Sequence, residues 1–416
     1  MSEIIVRNSG ALCGDVTISG SKNSSLPILA ACILTKGKNI IQDIPKLSDI
    51  EVMYDIIEGL GGKIDIRKHE SVIDCENINE FTTPYELVGK LRGSFLLAGP
   101  LLSRFGKARI SMPGGCPIGT RPIDLHLKGF SALGAKVEKG HGYIEMTAQK
   151  LCGAKIYLDF PSVGATENII MAAVLADGET VIENAAAEPE IVDLADFLIK
   201  QGADITGAGS DTIRIVGVKE LNSTVHRVIP DRIEAGTFMT AFAMTRGVGN
   251  IKNINYAHVK PVAAKLEEIG VIINFSGSTM EIDSRNTLKS SDIKTMPFPG
   301  FPTDMQALFT SLLTSVEGTG IIVETVFENR FLHVGELNRM GANIKIDGRT
   351  SVVEGGKPLT GAKVSAFDLR GGAALTLAGL NATGETVISG HEHIQRGYEA
   401  FIEKMNLIGA DITMYK

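Results

Sequence analysis

Hydrophobic and polar positions along this chain fall into two helical textures and one strand texture, and the set recurs six times. Stretches such as "LPILAACIL" (26–34), "FLLAGPLL" (95–102), "NIIMAAVLA" (168–176) and "ALTLAGL" (374–380) are apolar on most faces, as helices enclosed on every side would be. A second kind of helix, typified by "EIVDLADFLIKQG" (190–202), confines its apolar residues to one stripe. Each amphipathic helix runs into a Gly-containing turn and then a strand: "GLGGKIDI", "ALGAKVEK", "KQGADITG", "EIGVIINF", "RMGANIKI" and "LIGADITM". The turn glycines are Gly61, Gly134, Gly202, Gly270, Gly341 and Gly409, at steps of 73, 68, 68, 71 and 68 residues. A second series, Gly37, Gly106, Gly178, Gly247, Gly318 and Gly384, follows the apolar helices at steps of 69, 72, 69, 71 and 66.

Both series mark expected helix C-termini, where a left-handed residue favours glycine. Each unit of about 70 residues therefore predicts helix, Gly, strand, helix, Gly, strand, strand. Helices buried on all sides cannot lie outside their sheets. The expected fold is α/β, with helices inside, strands outside, and the six units grouped as two sets of three. The stretch "TVHRVIPDRIEAGT", near residues 225–236, separates the sets.

Composition narrows the function classes. At 416 residues the chain is too long for one ordinary core, which predicts two domains or three. With 41 Lys and Arg against 48 Asp and Glu, the net charge of −7 argues against a nucleic-acid surface, though not against local basic pockets for small anions. The longest wholly apolar run has 9 residues, about half of a membrane span. "MSEIIVRNSG" lacks the basic start and apolar core of a signal peptide, so a cytoplasmic protein without membrane partners is expected. The five cysteines (Cys13, Cys32, Cys75, Cys116 and Cys152) are odd in number and form no C-x-x-C pair, which disfavours a disulfide framework or a thiolate metal site. No histidine spacing suggests metal ligation. "GSKNSSLP" lacks the phosphate-loop spacing, and no G-x-G-x-x-G follows a strand, so no nucleotide cofactor is expected.

Charged and small polar residues collect at the starts of the helices. The apolar helices open on "GSKNSS", "KLRGS", "SVGATEN", "PDRIEAG", "PTDMQA" and "FDLRGG"; loops such as "GGCPIGTRPIDL", "ETVFENRF" and "GHEHIQRGY" precede the amphipathic ones. Helix N-termini attract anions, so Lys22, Arg92, Arg121, Arg232, Arg370 and Arg396 could converge on one polyanion site. The alternative is that these are solvated charges, with Ser21, Ser162, Thr303 and Asp368 serving only as N-caps. Cys116 stands apart on a Gly-Gly turn near Arg121, where a lowered pKa would favour thiolate or acid–base chemistry. The other four cysteines read as small core hydrophobes. Asp304, at a helix start between prolines, is either a cap or a base for a hydroxyl.

The segments "GSKNSSLPILAACIL", "PGGCPIGTRPIDLHL", "PSVGATENI", "ENAAAEPEIVDLA", "PDRIEAGTF", "FPTDMQALF", "ETVFENRF" and "DLRGGAAL" resemble, in order and across nearly the whole chain, the enolpyruvyl transferase family that acts on UDP-N-acetylglucosamine. The resemblance implies an inside-out α/β barrel of two domains, each with three βαβαββ units. It divides the chain into 21–229, carrying a catalytic Cys loop, and 1–20 plus 230–416, carrying a catalytic Asp, with the active site in the cleft. It implies transfer of enolpyruvyl from phosphoenolpyruvate to the 3′-hydroxyl of UDP-N-acetylglucosamine by addition and elimination, opening peptidoglycan synthesis, with no metal or cofactor. By the same resemblance Cys116 is the general acid, the site of a pyruvate adduct and of alkylation by fosfomycin. Asp304 takes the hydroxyl proton, and Lys22, Arg121, Arg370 and Arg396 clamp phosphate and carboxylate. Asn23, Arg92, Arg121, Pro122, Ile123, Asp124, Leu125, Ser162, Val163, Gly164, Asp304 and Val326 contact the nucleotide sugar. Phe160 and Pro161 depart from members that carry a lysine there, so one diphosphate contact is missing. Two rivals remain: a synthase of the same fold acting on shikimate 3-phosphate, which lacks the Cys loop, and a catalytically idle paralogue that senses UDP-sugars.

Overall fold

Why glycine recurs is answered by the backbone. In the computed structural model, which describes residues 3–89, 91–112, 119 and 122–415, all six turn glycines that follow amphipathic helices are left-handed, with φ between 93° at Gly134 and 115° at Gly270. A side chain there would be strained wherever it pointed. The second series splits. Gly106, Gly178, Gly318 and Gly384 have positive φ, but Gly37 and Gly247 do not, against the expectation that both series are left-handed caps. The reason at these two is space: a Cβ on Gly37 would lie 2.2 Å from Ser223 Oγ, and one on Gly247 would lie 2.4 Å from the Leu12 carbonyl oxygen. Arg246, just before Gly247, takes the left-handed conformation instead, at φ 56°.

The chain divides into two compact units. The first comprises Gly20–Gly115 and Arg121–Ile229; the second comprises Met1–Ser19 and Pro230–Lys416. In the first unit the apolar helices are Lys22–Ala31, Ala98–Phe105 and Val163–Ala173, and the amphipathic ones are Ser48–Gly59, Asp124–Ala132 and Pro189–Lys200. From Ala165 to Ala173 every residue is buried, which is what an apolar stretch without a polar face requires. Two four-stranded sheets and one three-stranded sheet cover these helices. In the three-stranded sheet a parallel bridge from Thr82 to Arg109 stands where the other sheets have a fourth strand.

The second unit repeats the plan with the buried helices Arg232–Met244, Gln306–Thr314 and Leu369–Leu380. Its three sheets are all four-stranded, and the chain start completes two of them. Cys13–Thr17 pairs parallel with Val248–Lys252, and Glu3–Arg7 lies antiparallel between Glu385–Ser389 and Asp411–Tyr415. The first unit closes the same way: Val225–Arg227, from its end, pairs parallel with Lys38–Gln42, from its beginning. Closure by strands far apart in sequence makes each unit one cooperative body, and each has its own apolar core.

Cys32 and Cys75 are buried, as expected of core thiols, but Cys13 and Cys152 are exposed. Cys13 opens a strand in which only Val16 is buried, and its side chain takes the outward face. Cys152 sits in a segment tied to Asp177 by main-chain pairing, which leaves its side chain in solvent. Among the described residues no helix is long and apolar enough to cross a membrane.

Candidate functional site

The first unit presents its candidate residues at helix starts. Ser21 caps the helix Lys22–Ala31, its Oγ accepting from the Ser24 N–H at 3.3 Å. That cap leaves Lys22 and Asn23 in the first turn. Lys22 Nζ lies 2.9 Å from Asp49 Oδ2, and both side chains are nearly enclosed, at 12% and 7% exposure. Asp49 belongs to the first turn of Ser48–Gly59, where the helix dipole favours a carboxylate. A lysine held in such a pocket is oriented rather than swinging in solvent. Ser162 likewise caps Val163–Ala173, accepting from the Ala165 N–H at 3.4 Å. Ser162, Val163 and Gly164 are all half-buried, so the helix end they form remains open to a ligand. Arg92 opens the short 3-10 turn Arg92–Leu97 and is half-buried. Pro122 and Asp124 are exposed, while Ile123 and Leu125 are half-buried at the start of Asp124–Ala132. Cys116 and Arg121 lie outside the described residues.

The second unit gathers charge around Asp304. This residue sits in the 3-10 turn Thr303–Met305, which runs directly into Gln306–Thr314. Its Oδ1 accepts from Arg330 Nη2 at 2.5 Å and its Oδ2 from Arg370 Nη2 at 3.4 Å. Both arginine side chains are only 4% exposed, against 26% for the carboxylate between them. Burial pushes the Asp304 pKa up, but Arg370, Arg330 and Arg232 together hold it well below the usual carboxylate range. Asp304 is therefore ionised at any physiological pH.

Arg370 is placed by its own helix cap: Asp368 Oδ1 accepts from the N–H groups of Arg370 and Gly371, each at 2.9 Å. Its guanidinium carbon stands 5.0 Å from the centre of the Tyr398 ring. Among the described residues its Nε and Nη1 have no hydrogen-bond acceptor, nor has Arg330 Nη1, although all three are buried. Buried guanidinium N–H groups without acceptors are costly unless a ligand supplies them. Two fixed cations with spare donors around one carboxylate form a receptor for an anionic group next to a hydrogen-bond acceptor. Arg396 ends the short helix Glu392–Gln395 and is half-buried.

Glu324 organises the loop that carries Val326. One of its oxygens accepts from the N–H groups of Val326 and Phe327, at 2.8 and 3.1 Å, and from Thr295 Oγ1 at 3.0 Å. The other accepts from Thr303 Oγ1 at 2.8 Å, tying this loop to the turn that bears Asp304. Thr303 is thus no N-cap, unlike Ser21, Ser162 and Asp368: the turn begins at Thr303 itself and its hydroxyl is engaged by Glu324. Arg330 was not singled out from the sequence. It lies within "ETVFENRF", but its partner is 26 residues away, and only the fold brings the two together.

Residues 6–405 match the family model described as EPSP synthase (3-phosphoshikimate 1-carboxyvinyltransferase). The chain is 56% identical over 414 residues to UDP-N-acetylglucosamine 1-carboxyvinyltransferase 2 of Clostridium tetani, covering 99% of each chain. It is 57% identical over 411 residues to UDP-N-acetylglucosamine 1-carboxyvinyltransferase 1 of Caldanaerobacter subterraneus subsp. tengcongensis, again with 99% of both covered. Among solved structures it is similar to the enolpyruvyl transferase NikO from Streptomyces tendae, with a TM-score of 0.91 and 26% identity over 99% of this chain and 98% of that one. It shares its fold with EPSP synthase from Acinetobacter baumannii, at a TM-score of 0.77 and 20% identity over the whole of both chains.

Proposed function

Because the chain belongs to the carboxyvinyltransferase family, we propose that it transfers the enolpyruvyl group of phosphoenolpyruvate to the 3′-hydroxyl of UDP-N-acetylglucosamine, releasing phosphate. The observation that carries the acceptor is the full-length identity above 55% to two enzymes named for that sugar nucleotide. The rival acceptor, shikimate 3-phosphate, is supported by the description of the family model and by a shared fold at 20% identity, but by no relative of comparable identity among those above. In the cell this step would stand at the entry to peptidoglycan synthesis, in the cytoplasm.

In this reading Lys22, Arg370 and Arg396, with Arg121, hold the phosphate and carboxylate of phosphoenolpyruvate. Asn23, Arg92, Pro122 to Leu125, Ser162 to Gly164 and Val326 hold the sugar nucleotide. Cys116 protonates C3 of phosphoenolpyruvate while the sugar oxygen bonds to C2. The hydroxyl proton leaves to Asp304. Phosphate then departs from C2, the Cys116 thiolate takes a proton back from C3, and the double bond re-forms. An Asp304 held ionised by two arginines is a poor base towards a resting hydroxyl. It accepts the hydroxyl's hydrogen bond first and takes the proton only as C–O bond formation makes that oxygen acidic.

Phosphate release from phosphoenolpyruvate tests the reading. It is expected with UDP-N-acetylglucosamine, not with shikimate 3-phosphate, and not in Cys116→Ala. Binding of the UDP-sugar without release would instead favour the sensor. Mass spectrometry after fosfomycin and UDP-sugar should find an adduct on Cys116.

A further inference from the structure

Each of the three arginines whose charge acts on Asp304 stands over an aromatic ring. The guanidinium carbon lies 5.1 Å from the ring centre of Phe327 for Arg330, 6.0 Å from Phe298 for Arg232 and 5.0 Å from Tyr398 for Arg370. A ring face attracts the cation and restricts the plane of its guanidinium. Of these three rings only Tyr398 carries a hydroxyl, and the reaction scheme leaves it unused. Tyr398 is buried, and the Phe401 ring meets it at 5.0 Å, which fixes its plane. Burial, only partly offset by the charge of Arg370, pushes the phenol pKa up, so the hydroxyl keeps its proton.

The destination of that proton follows from its partner. Tyr398 Oη lies 3.0 Å from Thr237 Oγ1, on the buried helix Arg232–Met244. The Thr237 hydroxyl donates its one proton to the Ile233 carbonyl at 2.8 Å, so towards the phenol it accepts. The lone pairs of Tyr398 Oη are left for Arg370. Burial pushes the Arg370 pKa down, but Tyr398, Asp304 and Asp231 together raise it above the usual arginine value. Tyr398 matters here because the bond from Arg370 to Asp304 is long, at 3.4 Å, and by itself aims the guanidinium loosely. The same turn carries Arg396, two residues earlier. A Cβ on Gly397 would lie 2.5 Å from Leu369 Cδ1, so the main chain between Arg396 and Tyr398 presses on the residue before Arg370.

We propose that Tyr398 is a positioning residue of the anion clamp: its ring and its hydroxyl, locked by Thr237, aim the spare donors of Arg370 and seat the turn that bears Arg396. The proposal rests on the enolpyruvyl-transfer reading above and extends it to two residues that touch no substrate in that scheme.

Phosphate release measured against phosphoenolpyruvate concentration, at saturating UDP-N-acetylglucosamine, tests it. Tyr398→Phe keeps the ring and loses only the hydroxyl. It should raise KM for phosphoenolpyruvate about tenfold, the size of one hydrogen bond acting on a charged group, with kcat changed less than about threefold. Binding of UDP-N-acetylglucosamine, by isothermal titration, should stay within about twofold. Thr237→Val should reproduce the rise in KM, and Thr237→Ser, which restores a hydroxyl, should reverse it. The double variant Tyr398→Phe with Thr237→Val should be no worse than either single change, because both cut one chain of contacts. A Tyr398→Phe enzyme with a lower Tm but an unaltered KM would overturn the proposal and leave the enolpyruvyl-transfer reading intact. Equal weakening of the UDP-sugar, or additive losses in the double variant, would do the same. Wild-type protein that releases no phosphate would overturn both.

Discussion

At the first buried helix of each unit, three residues past the N-cap, the two units place a polar side chain in the same structural role but build it from different chemistry. In the first unit Ser21 caps Lys22–Ala31, and Ser24 Oγ donates to Asp193 Oδ2. Asp193, on Pro189–Lys200, also accepts from His226 Nε2 at 2.8 Å and from the Ile229 N–H at 3.3 Å. In the second unit Asp231 caps Arg232–Met244, and Glu234 accepts from Lys404 Nζ at 2.6 Å and from the Ser19 N–H at 2.8 Å. Lys404 lies on Phe401–Leu407, the last helix of its unit, as Asp193 lies on the last helix of the other. In both, the residue that ends the neighbouring stretch of chain, Ile229 or Ser19, is held by its own N–H. The inner helix donates in the first unit and accepts in the second. Repetition preserved the need for a polar tie at this point and left its polarity free.

The difference has energetic consequences. Asp193 collects three donors, so loss of one leaves it two. Glu234 is only 2% exposed and depends on one ammonium for its counter-charge. Lys404→Met should therefore be the most damaging change at either tie, by about 3–5 kcal/mol in urea unfolding at pH 8, where Glu234 is ionised, because it strands a buried carboxylate. The double variant Lys404→Met with Glu234→Gln should recover most of that loss. A single-variant cost under about 1 kcal/mol would mean the pair does not hold the helix.

Next in size is a pH effect at the tie of the second unit. Burial, only partly offset by Lys404, raises the Glu234 pKa from 4.5 to about 7. A carboxyl with a raised folded pKa contributes stability that is complete below about pH 4.5 and is lost as the pH climbs to about 7. The contribution amounts to about 3 kcal/mol. Wild-type and Glu234→Gln stabilities, compared between pH 4.5 and 8, should diverge by this amount; parallel curves would remove Glu234 as the source. A smaller loss, about 1.5–3 kcal/mol, is expected for Asp193→Asn, which keeps the shape but weakens bonds to three donors. Lys22 and Asn23 share that helix start, so this variant should also lower kcat/KM more than Glu234→Gln does.

What could be read from the chain and what could not follow from the range of the signal. The six helix–strand units, the left-handed turn glycines and the caps at Ser21, Ser162 and Asp368 are local, and each is written within a few residues. Gly37 and Gly247 were legible as glycines but not as points of close approach, since Ser223 and Leu12 lie far off in sequence. Cys13 was misplaced because strand alternation gives the period without saying which face is inward. The ties themselves were invisible: Ser24 and Asp193 are 169 residues apart, Glu234 and Lys404 170. The same holds for Arg330 against Asp304. Cys116 and Arg121 rest on the sequence motif alone.

The gentlest way to sharpen the contrast is Ser24→Ala. The hydroxyl is fully enclosed and its removal deletes one of the donors to Asp193 without stranding a charge. His226 and the Ile229 N–H continue to satisfy the carboxylate. The expected cost is about 1 kcal/mol, the net worth of one hydrogen bond. For a unit of roughly 200 residues that corresponds to a fall in Tm of about 2–4 °C. Calorimetry should find this shift in the transition of the first unit, with phosphate release altered less than twofold. A loss as large as that of Lys404→Met would show that Ser24, rather than the imidazole and the main chain, is what keeps Asp193 satisfied, and the two ties would then be equally fragile.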